Sequence, residues 1–433
     1  MTDLRLSRAI RLPHAVAMVV GTIVGASIFV QPSEVSRSVP TFGGMLLVWI
    51  AAGALTWFGA SICAELSSAY PRTGGVYVYL REMFSPAVGF LWGWAMFWSM
   101  HSGIIAAIAV VFARYLAVLV PLDDRGIRAS AAGGILLLSA VNYVGVRSGT
   151  IVQTALTAIK IAAIVVLLVV LVAAARVDLV TSASAAFSVG GFVRAVGAGL
   201  FAFGGWHMVT YAAEETRDPR RTIPRALMIG TVIVVVIYLS LNAAYLLVLP
   251  VDRVLSSTRI AADATAVAAG PHAAAAIALL VVISSFGALS GIILAGPRVY
   301  FAMAEDGLLF QWMARIHPRF LTPSTAIAAQ ALWSAGLAYT GTYRALFTRV
   351  VFTEWIFFGA LAMGTMRMRS LSTYTPSFRA WGFPFAPAVF AAACAAVVVG
   401  QVASDPKQSA IGLGIVATGL PVYYVWRTVY GHH

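Results

Sequence analysis

Charge is scarce in this 433-residue sequence: Asp, Glu, Lys and Arg together make up 10% of it. A soluble domain carries roughly 25%, because its water-facing surface has to be coated with charge. A chain that is 60% hydrophobic, with mean hydropathy +0.88, cannot coat itself in that way, so lipid must cover most of its surface. Cysteine is scarcer still. Cys63 and Cys394 lie far apart within apolar runs, which excludes a disulfide framework and any Cys/His metal spacing; both read as small buried hydrophobes. No metal or cofactor is therefore expected. There is no HExxH and no GxSxG, and the seven histidines are scattered, so no enzyme chemistry is expected either. No cleavable leader is expected, because Arg5, Arg8 and Arg11 run straight into a long apolar segment without a clear cleavage site. Lysine is nearly absent: of 29 basic residues only Lys160 and Lys407 are lysine. The net charge of +13 sits mainly as arginine in short loops, the pattern of topogenic charge on a membrane protein, and nucleic acid is not an expected partner.

What is present is apolar length. A membrane-spanning helix needs about 20 predominantly apolar residues. Twelve segments meet that need, near 13–36, 41–68, 86–119, 128–146, 150–175, 192–215, 223–249, 272–303, 323–340, 344–368, 383–402 and 408–428. With the N-terminus in the cytoplasm, the inner loops collect Arg5, Arg8, Arg11, Arg72, Arg81, Arg147, Arg217, Arg220, Arg221, Arg225, Arg298, Arg315, Arg319, Arg367, Arg369, Arg379 and Arg427. The outer side holds about half as many, among them Arg125, Arg128, Arg176, Arg253 and Arg259, so both termini are expected inside. Residues 250–271 read as an outer loop and 304–322 as an inner one; no soluble domain is expected.

Two spans are interrupted by glycine at corresponding places. The first reads VVGTIVGASIFVQP, with Gly21 and Gly25 near its middle; the sixth reads GAGLFAFGGWHMVTYAAEE, with Gly197, Gly199, Gly204 and Gly205. Glycine in membrane helices also serves close helix packing. Paired interruptions in two halves of a chain point instead to a transporter site. Unwinding a helix inside the membrane frees N–H and C=O groups that cannot be left facing lipid. Freed N–H groups at a half-helix start suit a carboxylate, and freed carbonyls at a half-helix end suit an ammonium. Together they match the zwitterionic head of an α-amino acid.

GTIVGASIFVQP at 21–32 resembles the first-helix signature of the amino acid–polyamine–organocation superfamily. FAFGGWHMVTYAAEETRDPRRTIPRAL at 201–227, AELSSAYPRTGGVYVYL at 64–80 and EDGLLFQWMARIHPRFLTP at 305–323 are similar to its L-type amino-acid transporter branch. The resemblance implies an all-α polytopic membrane protein of LeuT type. It would have two inverted five-helix repeats, 13–175 and 192–368, two additional helices over 383–428, and alternating access. It also implies that the main chain of Gly25, Ala26 and Ser27 holds the substrate carboxylate and that the Ile23 carbonyl faces the amine. Phe201, Ala202 and Gly204 would supply further carbonyls, with Phe201 and Trp206 as aromatic gate and wall. Glycine is usual in the family where Ser27 stands, and the added Cβ favours a small substrate. His207 stands where the family varies and is a candidate for tuning side-chain selection.

Lys160 lies mid-span in TALTAIKIAAIVVLLVV, about eleven residues from either end. A lysine there costs about 2.5–3.5 kcal/mol to insert and is too deep to snorkel, so it needs a partner inside the protein. In sodium-independent members of the family a fifth-helix lysine stands roughly where sodium sits in coupled relatives. The resemblance thus implies contact with the main chain near Gly25 or Ala26 and with Ser284 or Ser285. A purely structural role stays open beside a role in coupling.

Glu65, Glu214 and Glu215 are candidate inner-gate carboxylates facing Arg217, Arg220, Arg221 and Arg225, or else part of an interfacial charge belt. His101 reads as a satisfied core residue or a pocket group, and Glu354 as a functional carboxyl or a packed one. The expected function is sodium-independent exchange of neutral L-amino acids across a cell inner (plasma) membrane. The alternatives are a proton-coupled or cationic amino-acid or polyamine transporter, for which Glu354 would be the acidic pocket residue, and a channel or non-transporting sensor. Human members of the branch join a heavy chain through a cysteine between helices three and four. Here that loop, PLDDRGIR at 121–128, has none, so no disulfide-linked partner is expected. The arginine-over-lysine, alanine-rich composition suggests a bacterial, stand-alone protein.

Overall fold

The structure, a computed structural model, describes residues 6–25, 27–29, 31–175, 188–257, 259–270, 273–341 and 350–430; Arg5, Ala26 and Arg176 lie outside these. No strand forms among the described residues, where the extended pairing is a single parallel bridge between Ile10 and Thr216. Among the described residues nine helices are long and apolar enough to cross a membrane: Phe42–Ala69, Pro86–Leu119, Asp124–Val144, Val146–Ala173, Val189–Ala212, Pro219–Val248, Ala275–Glu305, Phe385–Ser404 and Pro406–Val429. Three further spans complete the expected twelve but are broken, short or described in part. The first is split into Leu12–Ile23 and Gln31–Ser38, the ninth is the 17-residue Ser324–Thr340, and the tenth is described as Thr353–Met368, with 344–349 of its expected range outside the described residues. The stretch expected as a plain outer loop carries two short helices, Val251–Ser256 and Ile260–Ala269.

The eighth span is the axis of the bundle, with 78% of its apolar window buried, against 22% for the eleventh, which lies at the periphery. It carries Pro297 in its interior. Proline lacks the N–H that would bond the carbonyl four residues back; that carbonyl, of Ile293, instead accepts from Gln330 Nε2 of the ninth span at 3.1 Å. Lipid-facing surfaces follow the helical period. In the fifth span Gln153, Thr157, Lys160, Ile164, Leu167 and Leu171 form one buried stripe, while Val166 and Val169 are exposed. Lys160 therefore stands on the face turned to the protein interior.

Two buried ion pairs tie the spans together at the end nearer the N-terminus. Glu215 receives Arg298 Nε at 2.7 Å and Nη2 at 2.9 Å, with both side chains fully buried. Glu65 receives Arg369 Nε at 2.8 Å and Nη2, and also the main-chain N–H of Ala380 at 2.7 Å. Both are bidentate guanidinium–carboxylate pairs. Removing one partner strands a buried charge, whereas replacing both with apolar residues does not. Arg298→Ala is accordingly expected to lose about 3–5 kcal/mol in mixed-micelle unfolding, and the double variant Arg298→Met/Glu215→Leu to lose less than either single change. A double variant that loses the sum of the two singles contradicts this.

Candidate functional site

The first helix ends at Ile23, and the chain turns at Val24 (φ −73°, ψ 85°), where Gly25 N donates back to Ile23 O at 2.8 Å. That is an inverse γ-turn, and it leaves the carbonyls from Gly21 to Val24 without a following helical turn. The eighth, fifth and seventh spans supply donors in its place. Lys160 Nζ donates to Gly21 O at 3.0 Å and to Val24 O. Ser284 Oγ reaches Val24 O at 3.3 Å. Tyr238 OH reaches Ile23 O at 3.0 Å.

The sixth span breaks in the complementary way. Val189–Ala202 is α-helical, Gly205 takes φ +101°, and Trp206–Ala212 continues as a 3₁₀ helix. Only glycine adopts that φ readily, and a Cβ at Gly205 would stand 3.1 Å from Thr22 O. Thr22 Oγ1 in turn donates to Gly205 O at 3.2 Å. The freed carbonyl of Ala202 accepts from Tyr238 OH at 3.1 Å and from Ser27 Oγ at 3.4 Å. The two breaks thus meet each other, and one tyrosine spans both. Its ring is fixed by Trp49 and Phe203, with centroids 5.8 and 4.8 Å away.

A cavity of about 290 Å³ opens at this meeting point. Ile23, Gly25, Ser27, Phe201, Ala202, Gly204 and Trp206 all line it, and so does Glu354. Phe201 is 41% exposed; Trp206 is buried and packs on Phe358 at 5.1 Å. Lys160 meets the main chain beside Gly25, as expected, through Val24 O, and also takes Gly21 O. Other expectations need correction. Ser284 meets Val24 O rather than the ammonium, and Ser285 Oγ has no partner among the described residues. Lys160 reaches that far because Gly287, beside its Nζ and Cε, has no side chain. His207 does not line the cavity. Successive residues of a 3₁₀ helix point about 120° apart, so with Trp206 facing inward His207 packs among Trp92, Tyr211 and Phe358. The gate carboxylates do not pair with the arginines at 217–225. Glu65 and Glu215 take Arg369 and Arg298, and Glu214 accepts from Thr73 N at 3.2 Å. His101 Nε2 lies 2.9 Å from the Ile292 carbonyl, which only accepts, so that nitrogen carries the proton.

The model of the family described as amino acid permease matches residues 10–425, nearly the whole chain. The chain belongs to the amino acid permease family. Relatives of this permease include the Homo sapiens protein named cystine/glutamate transporter, 28% identical over 432 residues, covering 98% of this chain and 86% of the relative. Large neutral amino acids transporter small subunit 2 of Oryctolagus cuniculus is 31% identical, covering 99% and 82%. Asc-type amino acid transporter 1 of Mus musculus is 29% identical, covering 98% and 82%. The permease is a multi-pass membrane transporter of LeuT type, not an enzyme.

Sequence reasoning missed Tyr238 and Thr22 in this permease. The signal for Tyr238 was available: Val234, Tyr238, Leu241 and Tyr245 form the buried stripe of the seventh span, which marks Tyr238 as an interior hydroxyl in need of an acceptor. Gly205→Ala combines a strained φ, costing on the order of 1–3 kcal/mol, with a contact on Thr22. It is expected to lower amino-acid uptake at least tenfold, whereas Gly197→Ala, with open space at its Cβ position, should stay within twofold of the parent. Equal uptake by the two variants contradicts the tight meeting of the breaks.

Proposed function

We propose that the permease exchanges small neutral L-amino acids without sodium, by alternating access between two five-helix halves, 13–175 and 192–368, with 383–428 as two peripheral helices. The observation that carries this reading is the Tyr238 hydroxyl. It lies within 3.0 and 3.1 Å of two main-chain carbonyls, Ile23 O and Ala202 O, one from each break. A hydroxyl has one proton for two acceptors, while an ammonium has three. The substrate amine answers that unmet demand, with Phe201 and Gly204 offering further carbonyls. Its carboxylate takes the main-chain N–H groups of Gly25, Ala26 and Ser27, and binding releases Gly25 N from Ile23 O. Phe201 acts as the gate and Trp206 as the wall, and the Cβ of Ser27 limits substrate size.

Lys160 provides in covalent form the cation that holds the first break, which removes the need for sodium. The pairs Glu65–Arg369 and Glu215–Arg298, with Glu214 on Thr73, close the end nearer the N-terminus and part when the cavity turns to that side. We read the chain as a prokaryotic, stand-alone protein of the cell inner (plasma) membrane with both termini cytoplasmic. Both cysteines are buried, which supports a reading without a disulfide-linked partner.

The test is counterflow in liposomes holding the purified protein. Labelled neutral amino acid should enter several-fold faster when unlabelled amino acid is inside, with sodium absent throughout. Lys160→Ala removes two charge-assisted hydrogen bonds, each worth about 1.5–3 kcal/mol, and should lose at least tenfold in rate. A strict sodium requirement, or full activity in Lys160→Ala, overturns the reading.

A further inference from the structure

We propose that Glu354 selects the substrate side chain, and that it selects short neutral side chains ending in a hydrogen-bond donor, a hydroxyl or amide, over aliphatic ones of the same shape. This rests on the reading of the cavity as the amino-acid site and goes beyond it by naming the substrate class.

The lining away from the breaks is mostly apolar, with Ile104, Ile108, Val111, Val351, Trp355 and Phe358, and includes one amide, Gln31 at the start of Gln31–Ser38. Glu354, in the first turn of Thr353–Met368, is the acidic side chain in that lining, and its side chain keeps 22% exposure. Among the described residues its carboxylate accepts no hydrogen bond. His207 Nε2 stands 3.7 Å from Oε1, too far for one. The other hydroxyls of the lining are already engaged, Thr22 on Met18 O, Val19 O and Gly205 O, and Ser27 on Ala202 O. Polar groups enclosed by protein are normally satisfied, and a carboxylate is chiefly an acceptor. With the zwitterionic head on the two breaks, the substrate side chain enters this lining. A valine or leucine side chain would strip water from the Glu354 carboxylate and return nothing. A threonine or asparagine of matching shape brings a donor. A site built to receive a donor discriminates strongly against the analogue that lacks one.

The experiment measures inhibition of labelled alanine uptake into liposomes by isosteric pairs, threonine against valine and asparagine against leucine, with lysine and arginine as further arms. The ratio within a pair is read in each variant separately, so differences in expression and turnover cancel. In the unmodified protein threonine should inhibit about tenfold more tightly than valine. Glu354→Leu should bring that ratio to within twofold of one, and Glu354→Gln, whose amide oxygen still accepts, should fall between. If Glu354→Leu does not take up alanine, the ratio in Glu354→Gln decides: an intermediate value supports the proposal, and an unchanged one overturns it. A ratio near one in the unmodified protein, or unchanged in Glu354→Leu, overturns the proposal while leaving amino-acid transport intact. Lysine or arginine inhibiting more tightly than threonine overturns the neutral class. Absence of uptake of any labelled amino acid removes the underlying transport reading instead.

Discussion

The Lys160 ammonium, holding the carbonyls of Gly21 and Val24, is the contact on which the rest of the site depends. A helix that stops inside a membrane leaves its last carbonyls unpaired where no water can reach them. Lys160 and those carbonyls solve each other's problem. The buried ammonium gains acceptors in place of water, and the interrupted helix gains the donor that its missing next turn would have given. Gly287 leaves the space through which the lysine reaches them. With that end pinned, the Val24 turn is fixed, and with it the direction in which Ile23 O and Gly25 N face the cavity.

From that fixed end the geometry propagates to the second break. Thr22 binds Gly205 O, Ser27 and Tyr238 bind Ala202 O, and Gly205 gives the close approach that a side chain would prevent. The main-chain groups at the core of the cavity are thereby satisfied by exchangeable partners, a turn within the first span and a shared tyrosine proton. Such partners can yield to a ligand at low cost, unlike the bidentate arginine–carboxylate pairs that lock one end of the bundle. Permissive hydrogen bonds at the centre and strong ones at the end are the division that a transporter opening alternately to two sides requires.

Much of this was legible in the sequence. The twelve spans follow from apolar length, and the breaks follow from glycines that a continuous membrane helix does not need. The burial of Lys160 follows from its place on the stripe that runs from Gln153 to Leu171. What stayed hidden was partnership across the chain. Glu65 finds Arg369 and Glu215 finds Arg298 from other spans, although nearer arginines at 217–225 looked equally suitable. Helical period gives the face of a residue, not its neighbour on another helix. The turn that joins Gly25 N to Ile23 O is a local conformation set by tertiary packing, and the 3₁₀ winding that turns His207 away from the cavity could not be read from hydropathy either.

The most direct measurement is an experimental structure of the protein with a neutral amino acid bound in a sodium-free lipid environment. The account predicts density for the ligand between the breaks, its amine within hydrogen-bond reach of Ile23 O and Ala202 O, and Lys160 still on Gly21 and Val24. A ligand bound elsewhere, or first and sixth spans that run as unbroken α-helices with Lys160 facing other groups, would contradict it.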